Sequence, residues 1–365
     1  MTQQLDLFAD LQPAPARPQP KAPVTFAAKP SRSTAPSSPA PRPAKKQPST
    51  PARPRTISVC PASDPHAQAM QVGEAVAGAW HRQHGGNHTH VPIGIVAALS
   101  LIGQKDPNGP DLATQILSLN DTNLIGMYRE IWSTHWIRRP DLIDRARILH
   151  EWLNDTDIDK NRISAVRAVT EAALKNGLLA LTGYADPYLR SMTDVLSPVM
   201  MLLRSRGAQQ GLGEFHTPAS VAGAMAEVVN VSAVVDFLVA APEAGRPRPG
   251  QHIHDPAGGS GGLLRAAAQN LREKGLDPAD FQWSMCDIDE IAAACAAVNA
   301  IVWGLGPRVT VACADTLANP RAIEEAARHA RSVIEHRDSI LGKAKLIAAV
   351  RQAQQLLDQA PECAA

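Results

Sequence analysis

Apolar and polar residues divide the chain into three stretches. Between Gln12 and Pro54 the sequence is rich in Pro, Ala, Ser and basic residues and nearly free of large apolar side chains. Burial within such a stretch cannot offset the entropy lost on ordering, so we predict that it is disordered. From about Ala62 to Arg206 apolar positions recur at helical spacing, and from Gly211 onward short β-rich runs alternate with helical segments.

Within the helical stretch, apolar segments are separated by Gly, Pro, Asp and Asn; they are EAVAGAWHRQ, IGIVAALSLIG, LATQILSLN, LIGMYREIWSTHWI, LIDRARILHEWL and ISAVRAVTEAALKNGLLAL. The β-rich runs are QHIHD, FQWSMCDID and VTVACAD, and each precedes a Gly-rich or acidic turn and then a helix. This order is typical of a parallel sheet. We therefore predict an α/β protein with a tail at 1–61, an all-helical domain at 62–206, an abbreviated doubly wound sheet at 207–319 and a helical segment at 320–365.

The amino-acid composition indicates the kind of protein and the compartment in which we expect it. Apolar residues make up 44% of the chain, which is enough for a substantial core. The five cysteines, at positions 60, 286, 295, 313 and 363, lack the spacing of a disulfide framework or a metal site. No run is long and apolar enough to cross a bilayer, and no signal or transit peptide pattern is present. We expect a soluble, cytoplasmic protein with reduced thiols and no membrane partner.

Two weak metal signals do not change this expectation. Asp155–Thr156–Asp157 begins like a calcium loop, but Lys160 and Val166 stand where the loop requires Gly and Glu. Four histidines between His81 and His90 lack an accompanying pattern of Cys or acidic residues. We therefore expect no metal.

Basic residues are concentrated in the tail, although the net charge of the whole chain is only +1. From Leu11 to Cys60 the chain carries nine Lys or Arg residues and no acidic residue. Such a tail can add salt-dependent, sequence-independent affinity for nucleic acid. It can equally serve as a solubilising linker, and the sequence leaves both interpretations open.

The first residues contain a separate motif. Gln4, Leu5, Asp6, Leu7 and Phe8 resemble the short peptide by which bacterial replication and repair proteins dock on the DNA sliding clamp. In that mode the Gln side chain forms hydrogen bonds, and Leu and Phe fill apolar pockets. The resemblance implies the clamp as a partner; the alternative is an amphipathic N-terminus that binds nothing.

The main candidate for chemistry is the run DPAGGSGG at residues 255–262. We predict that a short strand ends at Asp255, that a glycine-rich turn follows, and that a helix begins near Gly262. Small residues let a ligand approach the backbone closely, and the free N–H groups of a helix start suit a carboxylate or phosphate. A tight strand-to-helix turn without a ligand also requires glycine, so the loop alone leaves both interpretations open.

Two acidic residues stand at the predicted ends of the next strands. Asp287 ends the second strand, where a carboxylate can accept hydrogen bonds from both ribose hydroxyls of a nucleoside-containing cofactor, and Ile288 beside it can pack on the adenine. Asp315 ends the third strand, in a suitable place for the adenine amino group. Either acid alone could be a helix cap. The three strand ends in this order favour a cofactor site.

These motifs resemble those of the N6-adenine DNA methyltransferases of the type I restriction-modification kind. The resemblance covers Thr193 to Leu317 and comprises TDVLSPVMMLL, GLGEFHTP, DPAGGSGGLL, MCDID and ADTL. It implies a Rossmann-like core, S-adenosylmethionine as cofactor and DNA as partner. The residues that it assigns to the cofactor are Phe215, Thr217 and Pro218 at the methionine end, Asp255, Pro256, Ala257, Gly259 and Gly261 around the amino-acid moiety, Asp287 at the ribose, and Asp315 at the adenine.

One motif of that family is not found in the sequence. Adenine methylation uses an NPPY or NPPF motif, whose Asn and Pro accept hydrogen bonds from the target amino group and whose aromatic ring stacks on the flipped base. The nearest match, Asn319–Pro320–Arg321–Ala322, lacks the second Pro and the aromatic residue. It is better explained as an N-cap followed by a first-turn proline.

Two functions therefore remain open. One is an S-adenosylmethionine-dependent DNA adenine methyltransferase whose aromatic residue comes from elsewhere. The other is a cofactor-binding module that works with a separate catalytic or specificity subunit, in a DNA-modifying or clamp-associated complex.

Overall fold

The computed structural model describes residues 63–84, 87–104, 109–204, 221–226 and 247–359. All of them lie in one compact unit, Pro54–Ala365. The basic tail up to residue 62, the clamp-like peptide at residues 4–8 and the GEFHTP segment lie outside the described residues. What the sequence predicts for them stays a prediction.

The part before the sheet is helical, as the apolar spacing predicts. Its helices include α1 (Pro65–His84), α2 (His90–Ser100), α3 (Leu112–Leu117), α4 (Asp121–Arg138), α5 (Pro140–Arg145), α6 (Lys160–Lys175), α7 (Leu178–Thr182), α8 (Pro187–Arg190) and α9 (Leu196–Leu203). Short polar side chains cap the N-terminal ends of several of these helices. Asp111, Asn120 and Asp159 each accept a hydrogen bond from a backbone N–H in the first turn, which satisfies a donor that the helix itself cannot.

Two of the predicted helices are interrupted. The run LIDRARILHEWL forms α5 and then two 3₁₀ turns, Arg147–Leu149 and Glu151–Asn154. Helix α2 packs directly on the first of these 3₁₀ turns, since a Cβ at Gly94 would lie 1.9 Å from the carbonyl oxygen of Leu149. The spacing of apolar residues in the sequence cannot predict this close contact between two helical segments. The run ISAVRAVTEAALKNGLLAL breaks at Gly177, whose φ of 84° is left-handed and ends α6.

The α/β part contains three parallel strands in the order β1-β2-β3, which are β1 (His252–Asp255), β2 (Gln282–Asp287) and β3 (Val309–Cys313). Helix α10 (Gly262–Glu273) connects β1 to β2, and α11 (Glu290–Val302) connects β2 to β3. The predicted strand end at Asp255, the helix start at Gly262 and the strand end at Asp287 are confirmed. In the strand register, Asp255 lies beside Met285.

The predicted sheet is confirmed in part. A parallel sheet of three adjacent strands with helical crossovers is present among the described residues. Within the described ranges, no further strand belongs to it.

One hydrophobic core joins the helices to the sheet. It includes Trp80 of α1, Ile95 of α2, Trp283 of β2 and Trp303 after α11, all of them fully buried. The predicted boundary between the helical and α/β domains, at residues 206 and 207, falls in a segment that the structure does not describe.

The last helix, α12, spans Ala322–Gln359 and lies within the helical segment predicted at 320–365. Its first part packs on β3 and α5, whereas residues 342–355 are exposed to solvent. None of the described helices combines the length and the apolar character needed to cross a membrane.

Candidate functional site

The glycine-rich loop lies at the carboxyl end of β1, and α10 follows it directly. Gly261 has a φ of 96°, and a Cβ there would lie 3.1 Å from the Trp303 ring. Both the backbone conformation and the lack of space therefore require glycine at this position. The first N–H groups of α10 have no acceptor within the helix, as at any helix start, and Gly262 offers them no covering side chain.

Asp287 fixes the loop to the end of β2. Its Oδ2 accepts a hydrogen bond from the Gly259 N–H at 2.8 Å, and its Oδ1 accepts one from the Asp289 N–H at 2.9 Å. Each carboxylate oxygen has two lone pairs, so Asp287 keeps acceptor capacity for ligand hydroxyls. Ile288 next to it is 60% exposed and offers an apolar surface beside the acid.

Asp255 is a buried acid with an unsatisfied oxygen. The residue is 7% exposed, and its Oδ1 accepts a hydrogen bond from the Ala257 N–H at 3.1 Å. Its buried Oδ2 has no hydrogen-bond partner among the described residues. Burial raises the pKa of this carboxyl group, and the nearby charge of Asp287 adds to the rise, while the Ala257 N–H and His254 oppose it. A ligand that donates a hydrogen bond to Oδ2 would therefore remove an energetic penalty.

Asp315 lies in an exposed turn after β3. The prediction that β3 ends at this residue is wrong, since the strand ends at Cys313. The physical reason is a local turn, in which Asp315 Oδ1 accepts a hydrogen bond from the Leu317 N–H at 2.9 Å. The turn nevertheless contacts the glycine-rich loop, because Thr316 Oγ1 donates to the Pro256 carbonyl at 3.3 Å.

A cleft of about 340 Å³ opens beside the loop. Asp255, Ala257 and Gly259 are the predicted residues that line it. The other predicted residues that the structure describes do not line it; they are Pro256, Gly261, Asp287, Ile288 and Asp315. The structure thus brings the loop and the unsatisfied acid to one cleft and leaves Asp287 and Asp315 outside its lining. Phe215, Thr217 and Pro218 lie outside the described residues.

Part of the cleft lining comes from residues to which the sequence analysis assigns no role. His66 of α1, Thr193, Asp194 and Ser197 all line it, and His66 Nδ1 lies 2.9 Å from Thr193 Oγ1. Burial and the charge of Arg265 lower the pKa of His66, so its imidazole is neutral at neutral pH. No sequence signal marks His66. Asp194 stands in the run TDVLSPVMMLL, but a single Asp before a helix indicates only a cap.

Asn319, the nearest match to the missing motif, is engaged at the start of α12. Its Oδ1 accepts a hydrogen bond from the Arg321 N–H at 3.1 Å, and its Nδ2 donates to Glu325 Oε2 at 2.9 Å. A helix follows this Asn–Pro pair, as predicted, but it begins at Ala322, so Asn319 and Pro320 lie just before it and do not form its N-cap and first turn.

The order of these features along the chain is Asp194 before α9, then the loop after β1, the acid after β2 and the turn after β3. Residues 194–334 match the family model of the N-6 DNA methylases. The resemblance predicted between Thr193 and Leu317 is thereby confirmed at the level of the N-6 DNA methylases, and we call residues 194–334 the methylase region. No curated protein matches the chain.

The cleft crosses the boundary of the methylase region. Asp194 and the glycine-rich loop lie inside the match, whereas His66, Met70 and Thr193 lie before it. The preceding helices therefore contribute directly to the candidate site. Among the side chains that the structure describes, no three His, Cys, Asp or Glu residues are close enough to hold a metal ion.

Proposed function

We propose that the methylase region binds S-adenosylmethionine in this cleft. N-6 DNA methylases depend on this cofactor. The observation that carries the proposal is Asp255 Oδ2, which is buried beside the loop and has no partner among the described residues. The α-ammonium group of the cofactor's methionine moiety is a cationic donor of the kind that such an oxygen requires, while the N–H groups at the start of α10 suit its carboxylate.

The residues at the strand ends fit the nucleoside part of the cofactor within a Rossmann-like core. The free lone pairs of Asp287 can accept the ribose hydroxyls, and the exposed face of Ile288 can cover the adenine. Asp315 is available for the adenine amino group, and Phe215, Thr217 and Pro218 are proposed at the methionine end. The bound cofactor supplies an electrophilic methyl group. The residues of the chain orient it and exclude water from the buried end of the cleft.

For the acceptor we propose the N6 amino group of adenine in DNA. The family match supports a DNA methyltransferase-like function. Since Asn319 already bonds Arg321 and Glu325, the groups that hold a flipped base must come from other residues or from another polypeptide.

That same arrangement of Asn319 favours a second candidate function. The chain would then be a cofactor-binding module that cooperates with a separate catalytic or specificity subunit in a DNA-modifying complex. In this case cofactor binding is retained, and the transfer step depends on the partner.

Calorimetric titration of the full chain with S-adenosylmethionine, followed by a methyl-transfer assay on unmethylated DNA, separates these functions. Binding with transfer supports the methyltransferase. Binding without transfer by the chain alone contradicts the methyltransferase and supports the module. No binding overturns both.

A further inference from the structure

Asp194 connects the helical part of the protein to the glycine-rich loop. Its Oδ2 accepts a hydrogen bond from Ser260 Oγ at 2.6 Å, and its Oδ1 accepts one from Asn299 Nδ2 at 3.0 Å. Asn299 also donates to the Ser260 carbonyl at 2.9 Å. Ser260 and Asn299 are both 3% exposed, so the contacts between them form largely away from water, where such bonds are strongest.

A simple cap does not account for this arrangement. The capping function uses Oδ1, which accepts the N–H groups of Leu196 at 3.0 Å and Ser197 at 3.1 Å. The second oxygen is directed instead at Ser260, which lies 66 residues later in the chain. The carboxylate therefore joins the start of α9 to a residue of the loop.

Two carboxylates thus hold neighbouring residues of the loop from different elements. Asp287, at the end of β2, accepts the N–H of Gly259, and Asp194, before α9, accepts the hydroxyl of Ser260. Glycine-rich backbone loses more conformational entropy on ordering than other backbone. Contacts that order the loop before a ligand arrives reduce the cost of binding.

We infer that Asp194 is a positioning residue for the cofactor, which acts through Ser260 and holds the loop in its binding conformation. The inference rests on the proposed binding of S-adenosylmethionine to the same cleft, which Asp194 and Ser260 both line. The inference extends the site beyond the loop and the residues that follow the strands, because cofactor affinity then depends on the contact between Asp194, before α9, and Ser260 of the loop.

The test uses the full chain with Ser260→Ala, which removes the hydroxyl and leaves both capping bonds and the Asn299 contact of Asp194 in place. We expect the Kd for S-adenosylmethionine to rise roughly tenfold, as for loss of a hydrogen bond to a charged group, in a protein that stays folded at the assay temperature with a lowered melting temperature. Ser100→Ala is the matched control, because Ser100 is also a buried serine with one hydrogen bond, to the Val96 carbonyl; its Kd should equal that of the wild type.

Substitutions of Asp194 test the same hydrogen bond by changing its acceptor instead of its donor. The amide oxygen can keep the bonds to Leu196, Ser197 and Asn299, and the amide nitrogen can donate to Ser260 Oγ. We therefore expect Asp194→Asn to bind nearly as tightly as the wild type, and Asp194→Ala to bind at least as weakly as Ser260→Ala.

Hydrogen exchange of the cofactor-free protein gives an independent result. In Ser260→Ala the amides of residues 258–262 should exchange faster than in the wild type, and in Ser100→Ala they should not. If the wild type binds the cofactor and Ser260→Ala binds equally well, the inference is overturned while the proposed function stands. If the wild type binds no cofactor, both fail.

Discussion

The backbone N–H of Gly259 donates a hydrogen bond to Asp287 Oδ2 over 2.8 Å. This bond joins the loop after β1 to the end of β2, across 28 positions of sequence. The other oxygen of the same carboxylate accepts the Asp289 N–H. Asp287 therefore helps to hold the loop in place as well as offering lone pairs to a ligand.

Asp287→Ala removes both acceptors and should weaken S-adenosylmethionine binding. A hydrogen bond to a charged group contributes about 1.5–3 kcal/mol, so we expect the Kd to rise roughly tenfold or more. Asp287→Asn keeps one acceptor oxygen and should have an intermediate effect. Asp280→Ala, at an exposed acid just before β2, is the control for calorimetry, and equal Kd values for Asp280→Ala and Asp287→Ala would contradict the assignment.

Gly261 and Gly262 should respond differently to the same added methyl group. Gly261→Ala places a Cβ at a left-handed φ and 3.1 Å from Trp303, and should cost about 1–3 kcal/mol of unfolding free energy. At Gly262 a Cβ meets no atom within 4 Å, so Gly262→Ala should leave the melting temperature unchanged or raise it. Because Gly262 lines the cleft, its methyl group should weaken cofactor binding.

Thermal unfolding and calorimetry of the two variants check this pair. A melting temperature that falls for Gly262→Ala and not for Gly261→Ala would show that the loop has a different conformation.

Asn319→Ala should affect stability and leave ligand binding unchanged. Loss of the hydrogen bonds to the Arg321 N–H and to Glu325 should lower the unfolding free energy by about 0.5–1.5 kcal/mol. The Kd for S-adenosylmethionine should not change, because Asn319 is not part of the cleft lining. Loss of methyl transfer at an unchanged melting temperature would instead assign Asn319 to the target base.

The sequence predicts the loop well because its determinants are local. Asp255 follows a short β-rich run, glycine is required at Gly261 by the turn itself, and α10 begins where the glycines end. The bond from Ser260 to Asp194 could not be predicted in this way, because the two residues are 66 positions apart. Nothing local distinguishes Asp194 from an ordinary cap.

The differences between the sequence-based predictions and the structure have two origins, a tertiary contact and a local turn. The helix predicted over LIDRARILHEWL is broken where α2 approaches the Leu149 carbonyl, which is a tertiary contact. The β-rich run VTVACAD predicts that β3 ends at Asp315, but Asp315 forms a turn with Leu317. Turn formation by the Asp side chain competes with extension of the strand.

The clamp-like peptide can be tested without the rest of the protein, because such motifs bind as extended segments. A synthetic peptide of residues 1–10 should bind purified bacterial sliding clamp, and the Leu7→Ala plus Phe8→Ala version should lose binding because its apolar anchors are gone. Equal binding of the two peptides would contradict the assignment.

The buried charge of Asp255 should lower the stability of the folded protein and strengthen the binding of S-adenosylmethionine. Burial raises the pKa of its carboxyl group, so the folded state binds this proton more tightly than the unfolded state does. Between the ordinary and the raised pKa of Asp255, the stability of the folded protein therefore falls as pH rises.

The variant Asp255→Asn removes the buried charge and should keep or raise the melting temperature at neutral pH. It also removes the carboxylate that accepts the hydrogen bond of the cofactor ammonium. As pH falls through the raised pKa, the wild type should lose affinity and Asp255→Asn should not.

The most direct measurement is calorimetric titration of wild type and Asp255→Asn with S-adenosylmethionine at neutral pH, with Asp280→Asn as the exposed control. We predict that wild type and Asp280→Asn bind with equal affinity and that the Kd of Asp255→Asn is at least roughly tenfold higher, at an unchanged or higher melting temperature. Binding of Asp255→Asn as tight as that of the wild type, or no binding by the wild type, would contradict the assignment of this cleft.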